Sequence, residues 1–165
     1  HYSERFLPQL CAAYPALRGV PAVYYANFAG NALDLAREAG FRKVLVLSHI
    51  GKLIKLAGGL WNTHSRFGDC RCELFTAFAA ACGCTQKTAQ ALLAAATTEQ
   101  CLTLLKEAGL LAPVLRLALS RIEAALSRRA GPMEAGAAAF STQYGFLGAG
   151  EIGQALLHAK GGQIQ

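Results

Sequence analysis

The densest reactive chemistry in the sequence lies in two short stretches. Asn62-Thr63-His64-Ser65-Arg66 offers an amide, two hydroxyls, an imidazole and a guanidinium within five residues, and Asp69 and Arg71 follow. Ser48-His49-Ile50-Gly51-Lys52 sets an imidazole, a glycine and an ammonium at the start of a helical pattern that carries Lys55 on its next turn. Arg grips a carboxylate through a two-bond fork. His titrates near neutrality and serves as acid or base. A helix opened at Gly51 presents free N–H groups to an anion. Lys52 and Lys55 near that helix start oppose its dipole at a cost of a few tenths of a kcal/mol, which a bound anion reverses. The plain alternatives stay open: two lysines on a solvated face, and a polar loop whose side chains satisfy its own turns. His49 and His64 are the candidate acid–base groups, and the sequence does not choose between them.

Several chemistries are disfavoured. Ser65, His64 and Asp69 spell a hydrolase triad on paper, but neighbours in sequence rarely face each other and there is no nucleophile elbow. No GxxxxGK[ST] loop is present, and Gly145-x-x-Gly148-x-Gly150 is too loose for a dinucleotide fingerprint, so ATP and NAD are not favoured. The Cys70-x-Cys72 and Cys82-x-Cys84 pairs are too tightly spaced for an ordinary zinc site. No metal is expected, and the six cysteines read as reduced packing thiols of a cytoplasmic protein. The 16 Lys+Arg against 10 Asp+Glu give +6, but the positives are scattered rather than striped with aromatics, which disfavours nucleic acid. Charged residues interrupt every long apolar run, so no membrane span is expected.

The elements that must hold these stretches follow from periodicity. At 165 residues one domain is expected. Only 16% of residues are charged and 53% are hydrophobic, which excludes a disordered chain and suggests surface hidden against a partner, with a homo-oligomer among the options. The pattern predicts a helix over residues 3–14 capped by Ser3, although Pro8 interrupts it. Ala22-Val23-Tyr24-Tyr25-Ala26 reads as a strand. A helix capped by Asn27 and closed by Gly40 follows, then a strand at Lys43-Val44-Leu45-Val46-Leu47-Ser48. These three elements form an expected βαβ unit in a small, mostly parallel sheet. The four aliphatics of the second strand do not alternate, as in a strand covered on both faces. Ligands of such sheets bind beyond the strand ends, which here means 27–30 and 48–52, side by side. Five further helices are read: one after His49-Ile50-Gly51-Lys52 to about Leu60, Asp69 to Cys82, Lys87 to Ala95 capped by Thr85, one opened by the box Thr97-x-x-Gln100 and closed by Gly109, and one with Pro113 in its first turn. A linker at 131–136, two short strands at 137–142 and 145–147 and a helix over 150–158 complete an α/β chain.

Asn27-Phe28-Ala29-Gly30, the run from Ser48-His49-Ile50-Gly51-Lys52 to Gly58-Gly59, and Asn62-Thr63-His64-Ser65-Arg66-Phe67-Gly68-Asp69-Cys70-Arg71 together resemble the CbiD family. The likeness is strong from about Ala26 to Glu73, and further on it rests on element order and on Phe140-Ser141-x-x-Tyr144-Gly145-x-Leu147. Ser48 stands where the family usually has Gly, Gly68 where Ala is common, and Cys70 and Cys72 are atypical. Family members are about twice as long, with a large N-terminal region and a strand and Gly-rich turn ahead of where this chain begins. The resemblance therefore implies that residues 1–165 correspond to the C-terminal domain of a two-domain enzyme, to which a missing N-terminal domain is the partner. It implies methyl transfer from S-adenosylmethionine to a ring carbon of a cobalt-corrinoid precursor, cobalt-precorrin-5B, in anaerobic cobalamin synthesis. That substrate is a polycarboxylate with an apolar face. Asn27, Gly30, His49, Gly51, Lys52, Lys55, Asn62, Thr63, His64, Ser65, Arg66, Asp69 and Arg71 are the binding candidates, with Lys52, Lys55, Arg66 and Arg71 as carboxylate partners. Tyr24, Phe28 and Trp61 are candidates to cover the macrocycle. The alternative is a catalytically inert corrinoid- or nucleotide-binding module.

Overall fold

The computed structural model of the chain describes residues 2–159. Its elements run α1 (Tyr2–Ala13), α2 (Ala29–Glu38), β1 (Lys43–His49), α3 (Ile50–Ala57), α4 (Arg71–Ala81), α5 (Gln86–Leu93), α6 (Thr98–Glu107), α7 (Leu111–Ala130), β2 (Glu134–Ser141), β3 (Gly145–Ala149) and α8 (Glu151–Leu157). The cap expected from Ser3 lies outside the residues whose side chains are described. The helix starts at Thr85 and Thr97 behave as read. Thr85 accepts from the Thr88 N–H and Thr97 from the Gln100 N–H, while the Gln100 side chain reaches back to the Ala96 N–H. Gly40, at φ +80°, ends the last turn before β1.

The sheet has three strands in the order β1-β2-β3, with β1 and β2 parallel and β2 and β3 antiparallel. It is a mixed sheet rather than a mostly parallel one. The strand expected at 22–26 is absent: that segment is irregular, Val23 is 83% exposed, and Ala26 turns the chain at φ +50°. β-branched and aromatic residues favour a strand only when another strand receives their ladder. Here the only β pairing near the segment, among the described residues, is an isolated bridge between Phe28 and Asn62. The parallel partner of β1 is β2, reached after some eighty intervening residues and five helices.

Alternation along β2 divides the core. Ala135, Ala137 and Ala139, with Val44 and Val46 of β1, face the large cluster built from α3, α4, α6 and α7. Leu45 and Leu47 face the other way, onto Leu10 of α1 and Leu157 of α8. Alanine and glycine along β2 let helices come close. A Cβ on Gly136 would lie 2.6 Å from the Gly153 nitrogen, so α8 rests directly on the strand backbone. α3 is buried on most of its circumference, through Ile50, Leu53, Ile54 and Leu56, and it carries Lys55 into the interior.

Candidate functional site

The two stretches singled out by their chemistry meet. The Thr63 N–H donates to the Asn27 carbonyl at 2.9 Å and the Gly30 N–H to the Trp61 carbonyl at 3.1 Å. Thr63 Oγ1 donates to Asn27 Oδ1 at 3.2 Å, so the Asn27 side chain holds the loop instead of capping α2. Lys52 Nζ donates to the Ala26 carbonyl at 3.0 Å, and Tyr25 and Ser48 share a side-chain hydrogen bond. The 27–30 and 48–52 segments are therefore side by side, even though no strand leads into the first.

Lys55 organises the loop that follows. It is 3% exposed, and its Nζ donates to the carbonyls of Thr63 at 3.2 Å and Gly68 at 3.1 Å, with Asp69 at 3.8 Å. A buried ammonium must find such partners, because desolvation without them costs several kcal/mol. Its two donated bonds clamp both ends of the 62–68 loop. Inside the loop, Asn62 Oδ1 accepts from the His64 N–H and His64 Nδ1 accepts from the Arg66 N–H. Asp69 forms a fork with Arg71, and this hydrogen bonding holds the Asp69 carboxyl at a pKa of about 2. The side chains of His64, Ser65 and Arg66 remain exposed, with the Arg66 guanidinium 4.8 Å from the centre of the Phe67 ring. Tyr24 (54%), Phe28 (55%) and Phe67 (54%) are exposed as well, with Phe28 bridged to Asn62 at the start of the loop. Trp61 differs, since the Arg129 guanidinium covers its ring at 4.8 Å and is itself forked onto Asp34. Burial, with Lys55 nearby, lowers the pKa of Lys52.

His49 sits at the end of β1 and is held from two sides. Its Nδ1 accepts from the Gly51 N–H at 3.1 Å, capping α3, and its Nε2 lies 3.0 Å from Glu99 Oε1. Accepting at Nδ1 leaves the proton on Nε2, which donates to Glu99. Gly51 makes room for protein here, as a Cβ would stand 2.5 Å from Thr98 Oγ1. Thr98 also accepts from Arg71 at 3.3 Å. The first turn of α6 thus joins the 62–71 loop to the strand ends. Glu99 Oε1 takes two more bonds, from the Thr142 N–H at 2.9 Å and the Thr142 hydroxyl at 2.7 Å, while Oε2 is buried and has no hydrogen-bond partner among the described residues. Burial alone would raise the Glu99 pKa, but the bonds from Thr142 and His49 outweigh it and hold it low. Glu99, Thr98 and Thr142 were missed from the sequence. An acidic residue in the first turn of a capped helix reads as a response to the helix dipole, and nothing local links it to an imidazole fifty residues away.

One sequence expectation is corrected. The glycine run continues to Gly153, giving Gly148-x-Gly150-x-x-Gly153, the full dinucleotide spacing, after β3 and into α8. The N–H groups that would receive a phosphate are already taken. Glu123 of α7 accepts from the Gly153 N–H at 2.7 Å, the Ile152 N–H at 3.0 Å and the Ala137 N–H at 3.0 Å. A Cβ on Gly150 would collide with the Glu123 carboxylate, and one on Gly153 with the Ala137 carbonyl. These glycines serve close packing around an internal anion, so the turn does not fit a nucleotide. Cys72 Sγ lies 3.8 Å from Cys101 Sγ rather than beside Cys70, and burial with Cys72 alongside pushes the Cys101 thiol up to about 12. Among the described residues no helix is long and apolar enough to cross a membrane.

The chain is similar in sequence to known proteins. A Methanocaldococcus jannaschii protein named cobalt-precorrin-5B C(1)-methyltransferase is 38% identical over 104 residues, covering 63% of this chain and 29% of the relative. Its namesake in Thermoanaerobacter sp. is 42% identical over 87 residues, 53% of this chain and 24% of that one. A third, from Alkaliphilus metalliredigens, is 35% identical over 122 residues, 74% and 32%. The matches span less than a third of each of these relatives' lengths. No solved structure matches. The profile described as CbiD, C-terminal domain, matches residues 62–151, from the Asn-Thr-His-Ser-Arg loop to the first residue of α8, and the chain belongs to that family.

Proposed function

We propose that this chain forms part of a C-methyltransferase acting on a cobalt-corrinoid precursor, cobalt-precorrin-5B, and that its share of the work is to hold the substrate. The observation that carries this is the exposed surface of Arg66, His64 and Ser65 with Phe67 next in the chain and Phe28 bridged to Asn62, on a loop clamped from beneath by buried Lys55. A macrocycle with acetate and propionate arms on an apolar ring needs that mixture of cations and aromatic faces. Arg66 is free to fork onto a carboxylate, and Phe28 and Phe67 offer ring-sized apolar area. Lys55 and Arg71, by contrast, keep the loop in shape through internal partners. His49 holds its proton on Nε2 against Glu99, while His64 Nδ1 is engaged and its ring is exposed, so His64 is the better placed of the two to meet a ligand.

S-adenosylmethionine, as methyl donor, supplies an electrophilic methyl carbon. The glycine-rich turn beside Glu123 does not suit it, because its N–H groups are already bonded to that carboxylate. Positioning of the acceptor carbon supplies most of the rate in such a displacement. Titration of the chain with a cobalt corrinoid bearing free carboxylates, followed by visible absorbance, tests this. Binding that weakens with salt and falls about tenfold in Arg66→Ala is expected, the scale of one charge-assisted bond. Binding indifferent to both would overturn it. Methyl transfer by a chain of the relatives' length separates the enzyme from an inert corrinoid-binding module.

A further inference from the structure

We propose that Cys72 and Cys101 are a redox-sensitive thiol pair that closes into a disulfide, pinning the start of α4 to the first turn of α6. Their sulfur atoms lie 3.8 Å apart, in contact but not bonded. A disulfide brings them to about 2.05 Å, so a shift of roughly 1.8 Å shared between two side chains closes the gap. The helices already touch at this point. Arg71 Nη1 donates to Thr98 Oγ1 at 3.3 Å, and Cys72 Sγ donates to the Ala95 carbonyl at 3.1 Å, just ahead of α6. The bond therefore reinforces a contact that exists. The remaining thiols are placed elsewhere. Cys70 Sγ lies against Gly58, in the turn after α3, where a Cβ would meet it at 3.0 Å. Cys82 ends α4, Cys84 lies beyond it, and Cys11 belongs to α1.

The oxidant is a small disulfide such as oxidised glutathione. Cys72 is half-buried and Cys101 fully buried, so exchange begins at Cys72. Its thiolate attacks one sulfur of the small disulfide, whose S–S bond breaks and releases one small thiol. Cys101, as thiolate, then attacks the Cys72 sulfur and displaces the second small thiol. Two electrons and two protons leave the protein pair, and the oxidant ends as two thiols. Cys101 is the slower partner. Burial pushes its thiol up to about 12, with the Cys72 charge and hydrogen bond adding to the effect. Those two contributions vanish once Cys72 is capped, while the Arg71 guanidinium that favours the Cys101 thiolate stays in place. Closure has a consequence for the candidate site. Arg71 and Asp69 end the loop that carries His64 and Arg66, and Thr98 packs against Gly51. Oxidation thus ties that loop to the helix abutting the end of β1. The inference goes beyond the corrinoid reading and does not depend on it.

The test equilibrates the folded chain with oxidised glutathione, quenches it with acid and digests it with trypsin and Glu-C without reduction. Cleavage after Arg71, Glu73, Glu99 and Lys106 places Cys72 and Cys101 in separate peptides, each free of the other cysteines. These two peptides should be recovered joined, and the intact chain should be lighter by about 2 Da, the two hydrogens lost. The oxidised protein should melt on the order of 10 °C higher, as for a closed loop of this length. Amide exchange over 68–71 should slow about threefold or more. Cys72→Ser should remove all these changes and Cys70→Ser none of them. Cys101→Ala takes the place of Cys72→Ser if circular dichroism shows that variant to be misfolded, and the peptide map of the unaltered chain needs no variant. Glutathione retained on Cys72 without closure, or closure onto Cys70 or Cys82 instead, would overturn the proposal. So would a bond that leaves the melt and the 68–71 exchange unchanged.

Discussion

Glu123 and Glu99 are both partly or fully buried carboxylates that receive donors from the protein, Glu123 midway along β2 at Ala137 and Glu99 just past its end at Thr142. Glu123 is saturated: both oxygens accept, all three donors are backbone N–H groups, and the surrounding glycines leave no space. Glu99 is lopsided, with three donors on Oε1 and none, among the described residues, on the buried Oε2. A saturated carboxylate with rigid donors is a cap for α8 and a joint between α7, β2 and α8. A half-satisfied one whose donors are an imidazole and a threonine can exchange partners, and it lies beside the exposed loop. The difference separates residues that hold the fold from residues poised to respond.

Breaking the saturated cap has the largest expected effect. Glu123→Ala strands three buried N–H groups and should cost about 3–5 kcal/mol in urea unfolding. Gly150→Ala pushes a methyl into the same carboxylate, although its backbone, at φ −69°, tolerates any residue. It should cost about 1–3 kcal/mol, the range for overpacking. Glu99→Gln keeps an acceptor for His49 and Thr142 and replaces the orphaned oxygen with an amide. It should change stability by less than about 1 kcal/mol while shifting the imidazole 15N resonances of His49. A cost equal to that of Glu123→Ala would erase the distinction between the two glutamates.

The smaller effects concern acid and the exposed loop. The folded-state pKa of Asp69, about 2, lies below the unfolded carboxylate value near 3.9. Its contribution is therefore complete above pH 4 and is lost as pH falls through 4 towards 2. Asp69→Asn should remove that acid limb from the stability curve, with a loss at neutral pH of only about 0.5–1 kcal/mol because the pair is partly exposed. Arg66→Ala should leave stability within about 0.5 kcal/mol while weakening corrinoid binding, as measured by thermal melts beside the titration.

What the sequence disclosed was local. Thr85 and Thr97 announce helix starts because the cap and its N–H lie three residues apart, and the aliphatic run at 44–47 marks a strand for similar reasons. What stayed hidden depends on distant partners. Val23-Tyr24-Tyr25 has strand chemistry but no strand to receive it, so it remains irregular. Lys55 reads as one of a cationic pair, yet α3 turns it inward while Lys52 is only partly covered. The glycines at 148–153 are explained only once Glu123, some thirty residues earlier, is known to reach them. At the candidate site, the exposure of His64 and Arg66 was foreshadowed by polarity, whereas the hub at Thr98 and Glu99 could be found only in three dimensions.

Trp61 is the only tryptophan in the chain, and the Arg129 guanidinium lies over its ring while Arg129 is anchored to Asp34 of α2. Its carbonyl also receives the Gly30 N–H. Intrinsic fluorescence excited at the indole therefore reports on one joint, where α2, α7 and the 62–68 loop converge. Because the cation perturbs the indole's electronic environment, loosening of this joint alters the emission without any dye or label, and the loop's response to a ligand can be followed optically.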